Sequence, residues 1–159
     1  MFTIRQVEER DRTSILDITR EVGVFTHEDV ECVDELLGTY LSEPRGKEYT
    51  FGAACDGQER VLGFVCFGPT PLTIGTYDIY WLAVTKSAQG QGIGSALFLW
   101  IEEQVRALGG RLLTLETSGT SEYNPARKMY ERLGYTGRLA VPDFYRPGDD
   151  LVIFSKPLS

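Results

Sequence analysis

Residues 83–103 read AVTKSAQGQGIGSALFLWIEE and place glycines at alternate positions, Gly90, Gly92 and Gly94. Upstream, TYDIYWLAV (76–84) is rich in aromatic and branched residues, the composition of a strand. Downstream, Ile93, Leu97, Trp100, Ile101, Val105 and Leu108 recur three or four apart, which predicts an amphipathic helix ended by Gly109-Gly110. The glycines can do no side-chain chemistry, so what they offer is backbone. A helix N-terminus presents unpaired N–H groups and a partial positive charge, and both attract anions. Glycines there remove each Cβ that would hold a phosphate off the backbone, and they permit positive-φ turns that gather N–H groups into a nest. Residues 90–95 are therefore a candidate pyrophosphate cradle, with Gln89 and Gln91 adding amide groups and Ser95 a hydroxyl. The alternative is a β-to-α turn that binds nothing, for which three glycines are costly in chain entropy.

The rest of the chain supplies more strands and helices. FTIRQV (2–7) alternates apolar and polar residues as a half-buried strand does. Two helices follow. Ile15, Leu16, Ile18 and Val22 mark the first, which Gly23 ends. The second starts at Thr26 with Asp29 three residues on, and carries Val30, Val33, Leu36, Leu37 and Leu41. Residues 43–48 read as a loop. YTFGAACD (49–56) and RVLGFVCFG (60–68) form a hairpin with Asp56-Gly57 at its turn, and residues 68–75 form a stiff loop. RLLTLET (111–117) is nearly all apolar and reads as a central strand. A short helix spans 124–134, with Pro125 in its first turn and Gly134 at its end. YTGRLAV (135–141) and DLVIFSKPL (150–158) complete seven strands in the order β-α-α-β-β-β-α-β-α-β-β.

Composition narrows the classes of function. At 159 residues, with 42% hydrophobic and 25% charged residues, the chain reads as one folded domain over 1–159. The net charge of -7 and the lack of a basic run argue against a nucleic-acid partner. Cys32, Cys55 and Cys66 have no C-x-x-C spacing and read as small buried apolar residues of a reduced compartment. His27 is the one histidine and sits at a helix start, so no zinc site is expected. No apolar run reaches bilayer length and the N-terminus lacks a signal-peptide core, so the expectation is a cytoplasmic protein without a membrane partner.

The glycines also narrow the phosphate ligand. An ATP P-loop needs a lysine after its last glycine, and none is present. A dinucleotide fingerprint would need a glycine where Ser95 stands and a tighter turn than TKSAQ allows. Gln89-Gly90-Gln91-Gly92-Ile93-Gly94 instead resembles the Q/R-x-x-G-x-G/A loop of the GCN5-related N-acetyltransferases. LLTLETSGTSEYNPARKMYERLGY (112–135) resembles that family's strand, short helix and closing L-G-F/Y, most closely in its ribosomal-protein N-terminal acetyltransferases. The element order fits from Phe2 to Leu158. The resemblance implies an α+β fold. Its mixed, mostly antiparallel sheet of about seven strands is splayed between the strands ending at Val84 and near Thr117, and flanked by four helices. It implies acetyl-CoA as donor, with Leu82, Ala83 and Val84 along the pantetheine arm and the glycine loop on the pyrophosphate.

Acetyl transfer from a thioester to an amine needs a neutral amine, although an alkylammonium has a pKa of about 10.4, so a base helps. It also needs a donor for the carbonyl oxygen and a proton for the leaving thiolate. The resemblance implies Tyr130 as proton donor and Glu116 as base. Burial at the end of a central strand is expected to raise the Glu116 pKa toward neutrality. The Val84 N–H is the expected oxyanion donor. The family often has a cofactor-contacting asparagine seven residues before the tyrosine; Tyr123 stands there, and Asn124 follows as the candidate for that contact or for a helix cap. PDFYRPGDDL (142–151) concentrates Asp143, Tyr145, Asp149 and Asp150, and with Asp78 and Tyr80 these residues suit an amine that arrives protonated. The acceptor reads as a small molecule or a protein N-terminus. A non-catalytic acyl-CoA sensor of the same fold and a dinucleotide oxidoreductase remain as alternatives. An exposed edge strand near the C-terminus offers a possible homodimer contact.

Overall fold

The structure is a computed structural model that describes residues 1–42 and 48–158, so the loop expected at 43–48 falls, for residues 43–47, outside the described residues. Its frame is a seven-stranded sheet in the order β1-β2-β3-β4-β5-β7-β6. The strands are β1 (Phe2–Gln6), β2 (Thr50–Asp56), β3 (Val61–Pro69), β4 (Thr76–Val84), β5 (Leu112–Ser118), β6 (Gly137–Arg146) and β7 (Asp149–Pro157). The helices are α1 (Arg12–Glu21), α2 (His27–Ser42), α3 (Ile93–Ala107) and α4 (Asn124–Arg132). Neighbouring strands pair antiparallel except β4 and β5, which are parallel because α3 carries the chain back between them. The α+β fold expected from the sequence is present, and no helix among the described residues is long and apolar enough to cross a membrane.

Two cores sit on opposite faces of the sheet. On one, Ile93, Leu97, Phe98, Ile101 and Val105 of α3 pack against Val65, Phe67, Ile79, Leu113 and Leu115. On the other, Ile15 and Ile18 of α1 and Val33 and Leu37 of α2 pack against Phe51, Phe64 and Cys66. Covered on both faces, β2 and β3 are buried almost throughout, which is why their sequences do not alternate. Gly52 is required there: a Cβ would lie 2.4 Å from the Trp100 ring of α3. Among the described residues the second face carries no helix beyond β4, and β6, one of the two edge strands, is exposed along nearly its whole length.

Local signals set the helix ends. Thr26 Oγ1 accepts from the Asp29 N–H at 3.1 Å, and Asp29 Oδ2 accepts from the Thr26 N–H at 2.8 Å, a reciprocal cap for α2. His27 is an exposed residue of the first turn. Of the three cysteines, Cys55 and Cys66 are buried as expected, but Cys32 of α2 is exposed and lies in the wall of the groove described below. Leu108 is also exposed, because α3 ends at Ala107 before another turn can bring it to the core. The hairpin expected after residue 141 extends further. Pro142 interrupts pairing but not the strand, and the register slips between Val141 and Arg146.

The first turn of the α1–α2 layer is anchored by Asp11, whose carboxylate receives the Arg5 guanidinium at 2.7 and 3.0 Å and the Glu8 N–H at 2.8 Å. Burial pushes the Asp11 carboxyl up, but these donors outweigh it and hold it below its ordinary value. A lowered folded pKa adds stability above the unfolded value, near 3.8, that is lost as pH falls through the folded one. Asp11→Asn is therefore expected to destabilise the protein by about 2 kcal/mol at pH 7. Urea unfolding at pH 7 and pH 2.5 should show that difference shrink at the lower pH.

Candidate active site

The site begins with a one-residue irregularity in β4. Pairing with β3 runs in step from Gly63↔Val84 to Cys66↔Trp81, then slips so that Phe67 faces Ile79 and Tyr80 has no partner. Parallel pairing with β5 stops at the same place, its last rung being Ile79↔Leu115. A bulge bends a strand and increases its twist. Past Tyr80 the end of β4 therefore runs free of β5, and the two strands splay.

The freed edge carries usable backbone. The Thr85 N–H donates to Leu62 C=O at 2.8 Å, so odd-numbered residues here face β3. By alternation the N–H groups of Leu82 and Val84 face the splay. The Val84 carbonyl does too, and it accepts from Gln89 Nε2 at 3.1 Å. Gln89 thus ties the strand end to the following loop, where the sequence suggested a phosphate contact.

The glycines divide their work. Gly90 and Gly92 have φ of +82° and +80°, and a Cβ at either would meet nothing within 4 Å, so what they supply is a left-handed backbone. Gly94 has ordinary helical φ, but its Cβ would lie 3.3 Å from Met129 Sδ of α4. The first α3 hydrogen bond runs from the Ala96 N–H to Gly92 C=O at 3.0 Å, which leaves the N–H groups of Ile93, Gly94 and Ser95 directed out of the helix end. A helix end of this kind can take an anion, and it lies at the foot of the freed edge.

Between the splayed strands lies a groove of about 1550 Å³, bounded on one side by the connection from α1 to α2 and by α2 itself, and on the other by α4. At its apex a pocket of about 40 Å³ brings together Tyr80, Leu82, Phe98, Glu116 and Tyr130. The Tyr130 ring is held between Phe98 and Phe154, each 5.5 Å away. Burial, with Tyr123 nearby, pushes its phenol up to about 12. Tyr80 is likewise pushed up to about 12 by burial and by the Asp78 carboxylate, and its ring meets Tyr49 edge-on at 5.6 Å. Glu116 is in the groove but exposed, because it points to the face that no helix covers. The burial expected of it is absent.

The expected acceptor residues separate. Tyr145 and Asp149 line the groove. The Tyr145 phenol is pushed up by burial and by Glu116 and Asp149. Asp149 is buried, receiving Arg146 at 2.8 Å and the Ser118 hydroxyl. Asp143 and Asp150 instead organise the hairpin: Asp143 Oδ1 accepts the Gly148 N–H at 2.8 Å, and Asp150 Oδ1 accepts the Asp143 N–H at 3.0 Å. Asp78, which accepts from Thr114 Oγ1, lies at the groove floor. Asn124 accepts from Arg127 and is not in the groove wall, nor is Gln91. Tyr123 fills the wall beside Asn124, and its hydroxyl donates to Val24 C=O at 3.4 Å across the groove. Asp29, Thr117 and Met129 also line it. Sequence reading assigned Asp29 to a helix cap and left Thr117 out, since nothing local marks either as facing a cleft. Among the described residues no cluster of three or more His, Cys, Asp or Glu is placed to hold a metal ion.

A parallel pair that splays at a bulge, with its freed edge running toward an open helix N-terminus, is the frame of the groove. Residues 12–135 match the family model of the Acetyltransferase (GNAT) family, and the chain belongs to that family. A structure of a GNAT-family protein from Desulfovibrio desulfuricans superposes with a TM-score of 0.95 at 36% identity, covering 100% of both chains. An uncharacterized N-acetyltransferase of Methanocaldococcus jannaschii is 27% identical over 144 residues, 83% of this chain and 88% of that one. The mycothiol acetyltransferase of Gordonia bronchialis is 33% identical over 121 residues, 76% of this chain and 37% of that protein. The ribosomal-protein-S18-alanine N-acetyltransferase of Escherichia coli shares the fold, with a TM-score of 0.79 at 20% identity over 100% and 95% of the two chains.

The unequal roles of the glycines are testable by thermal unfolding. Gly92→Ala forces a left-handed alanine and should cost about 1–2 kcal/mol, a fall of several degrees in Tm. Gly94→Ala should cost less, since Met129 can move.

Proposed function

We propose that the protein is an acetyl-CoA-dependent N-acetyltransferase that moves acetyl directly onto a primary amine, either of a small molecule or at a protein or peptide N-terminus. The observation that carries this reading is the continuity of the freed β4 edge with the Gly90–Ser95 cradle, opposite Glu116 and Tyr130. An extended donor with amides along its arm and a pyrophosphate at its end matches that line of N–H groups. Leu82, Ala83 and Val84 would hold the arm, and Gly90, Gly92, Ile93, Gly94 and Ser95 the pyrophosphate.

When bound, acetyl-CoA supplies the thioester whose C–S bond breaks as the new C–N bond forms. The Val84 N–H faces the splay and is placed to stabilise charge on the acyl oxygen. Glu116, at the apex pocket, takes the proton that the amine loses, directly or through a water that the pocket has room for. Tyr130 keeps its proton throughout the working pH range. Its pKa of about 12 lies well above the roughly 8.5 of a thiol, so complete transfer is uphill. Tyr130 therefore acts as a hydrogen-bond donor to the developing thiolate. Asp29 and Glu116 give the acceptor end a negative field, while Asp149 in the same wall is balanced by its ion pair with Arg146. A cationic acceptor fits that end.

A sensor module that binds acyl-CoA without turnover is the second reading, and the exposure of Glu116 is the observation in its favour. Thiol release from acetyl-CoA, run on pools of amino acids, polyamines, aminoglycosides and short peptides, separates the two. Turnover with one pool is expected. Tyr130→Phe should lower kcat about 10- to 100-fold with little change in KM for acetyl-CoA, as loss of a hydrogen bond to a charged group implies. Binding of acetyl-CoA without release on any pool would favour the sensor.

A further inference from the structure

Resting on that reading of the donor, we infer that the Thr117 hydroxyl is a further donor-binding group that hydrogen-bonds an amide of the pantetheine arm. Thr117 lies in the diverging part of β5, two residues past the last rung to β4. It pairs with Val152 of β7, and alternation along β5 puts it on the same face as the core residues Leu113 and Leu115. The residue is only 6% exposed, and among the described residues its Oγ1 has no hydrogen-bond partner. Yet it lines the groove.

A buried hydroxyl without a partner is unfavourable, and valine would fill the same space at no polar cost. Its neighbours do not share its condition. The Ser118 hydroxyl donates to Asp149 and lies 3.0 Å from Thr120 Oγ1, and the Asn124 side chain is held by Arg127. Thr117 is thus a polar atom kept ready on the β5 wall of the groove, whose β4 wall carries Leu82 and Val84 beyond the last rung between the two strands. A ligand with an amide arm lying in the splay has the freed edge on one flank and this hydroxyl on the other. A hydroxyl both donates and accepts, so it can serve either end of an amide.

The test pairs calorimetry with unfolding. Acetyl-CoA and adenosine 3′,5′-bisphosphate, which lacks the arm, are titrated into the wild-type protein, Thr117→Val and Thr117→Ser. Thr117→Val should bind acetyl-CoA about three- to tenfold more weakly, the worth of one hydrogen bond. It should bind the bisphosphate unchanged, and Thr117→Ser should restore the affinity. Without ligand, Thr117→Val should melt at the wild-type temperature or above it, because it removes an unpaired polar group. Equal acetyl-CoA affinity in Thr117→Val would overturn the assignment, as would an equal loss for both probes. A Tm drop of several degrees would show that the hydroxyl serves the fold. If the wild type binds acetyl-CoA, any such failure belongs to Thr117 alone; if it binds neither probe, the donor reading falls as well.

Discussion

The site depends on one constraint: β4 and β5 are parallel neighbours that cannot stay paired. Four rungs hold them, from Thr76↔Leu112 to Ile79↔Leu115, and then the extra residue Tyr80 turns β4 away. Each later feature follows from that departure. The freed backbone has N–H groups to offer, the groove exists because the strands part, and Glu116 and Tyr130 converge where the parting starts. A parallel pair that continued to Val84 would bury those N–H groups in a ladder and leave no cleft.

Holding the strands apart takes fixed ends. On the β4 side, the Glu21 carboxylate of α1 accepts the Thr85 hydroxyl and the Lys86 N–H, the latter at 2.9 Å, while Gln89 holds the Val84 carbonyl. On the β5 side, Arg127 of α4 donates to the carbonyls of Ser118 at 2.6 Å and Thr120 at 3.0 Å, and Ser118 binds Asp149 of β7. The two walls therefore belong to different layers of the protein, α1 with β4 and α4 with β7. Tyr123 spans the groove to Val24 between them.

Much of this was legible in the sequence because it is local. The glycines of 90–94, the Thr26–Asp29 cap and the period of α3 are each written within a few residues, and the positive φ at Gly90 and Gly92 is what glycine spacing can announce. The resemblance to a known loop and helix extended that reading to Glu116 and Tyr130. What the sequence hid depends on register. Nothing in TYDIYWLAV marks Tyr80 as the unpaired residue, and the exposure of Glu116 depends on α1 and α2 stopping short of β5. The acidic segment after Val141 looked uniform, yet Pro142 and the left-handed Asp143 turn it so that Tyr145 reaches the groove while Asp143 and Asp150 brace the turn. Thr117 looked like any residue of an apolar strand.

The same deformation of β6 has an effect at the sheet's rim. An edge strand with open N–H and C=O groups is a template for pairing with another chain. Here Pro142 removes a donor and the slip between Val141 and Arg146 bends the outer line, so a straight, pairable edge survives only over Gly137–Val141. Leu139 and Val141 are exposed there, and Arg138 bounds the short apolar run that they belong to. A homodimer formed by adding strand to strand would have five residues of this rim to work with, and amyloid-like stacking would have no more. The kink that brings a tyrosine to the groove also caps the sheet.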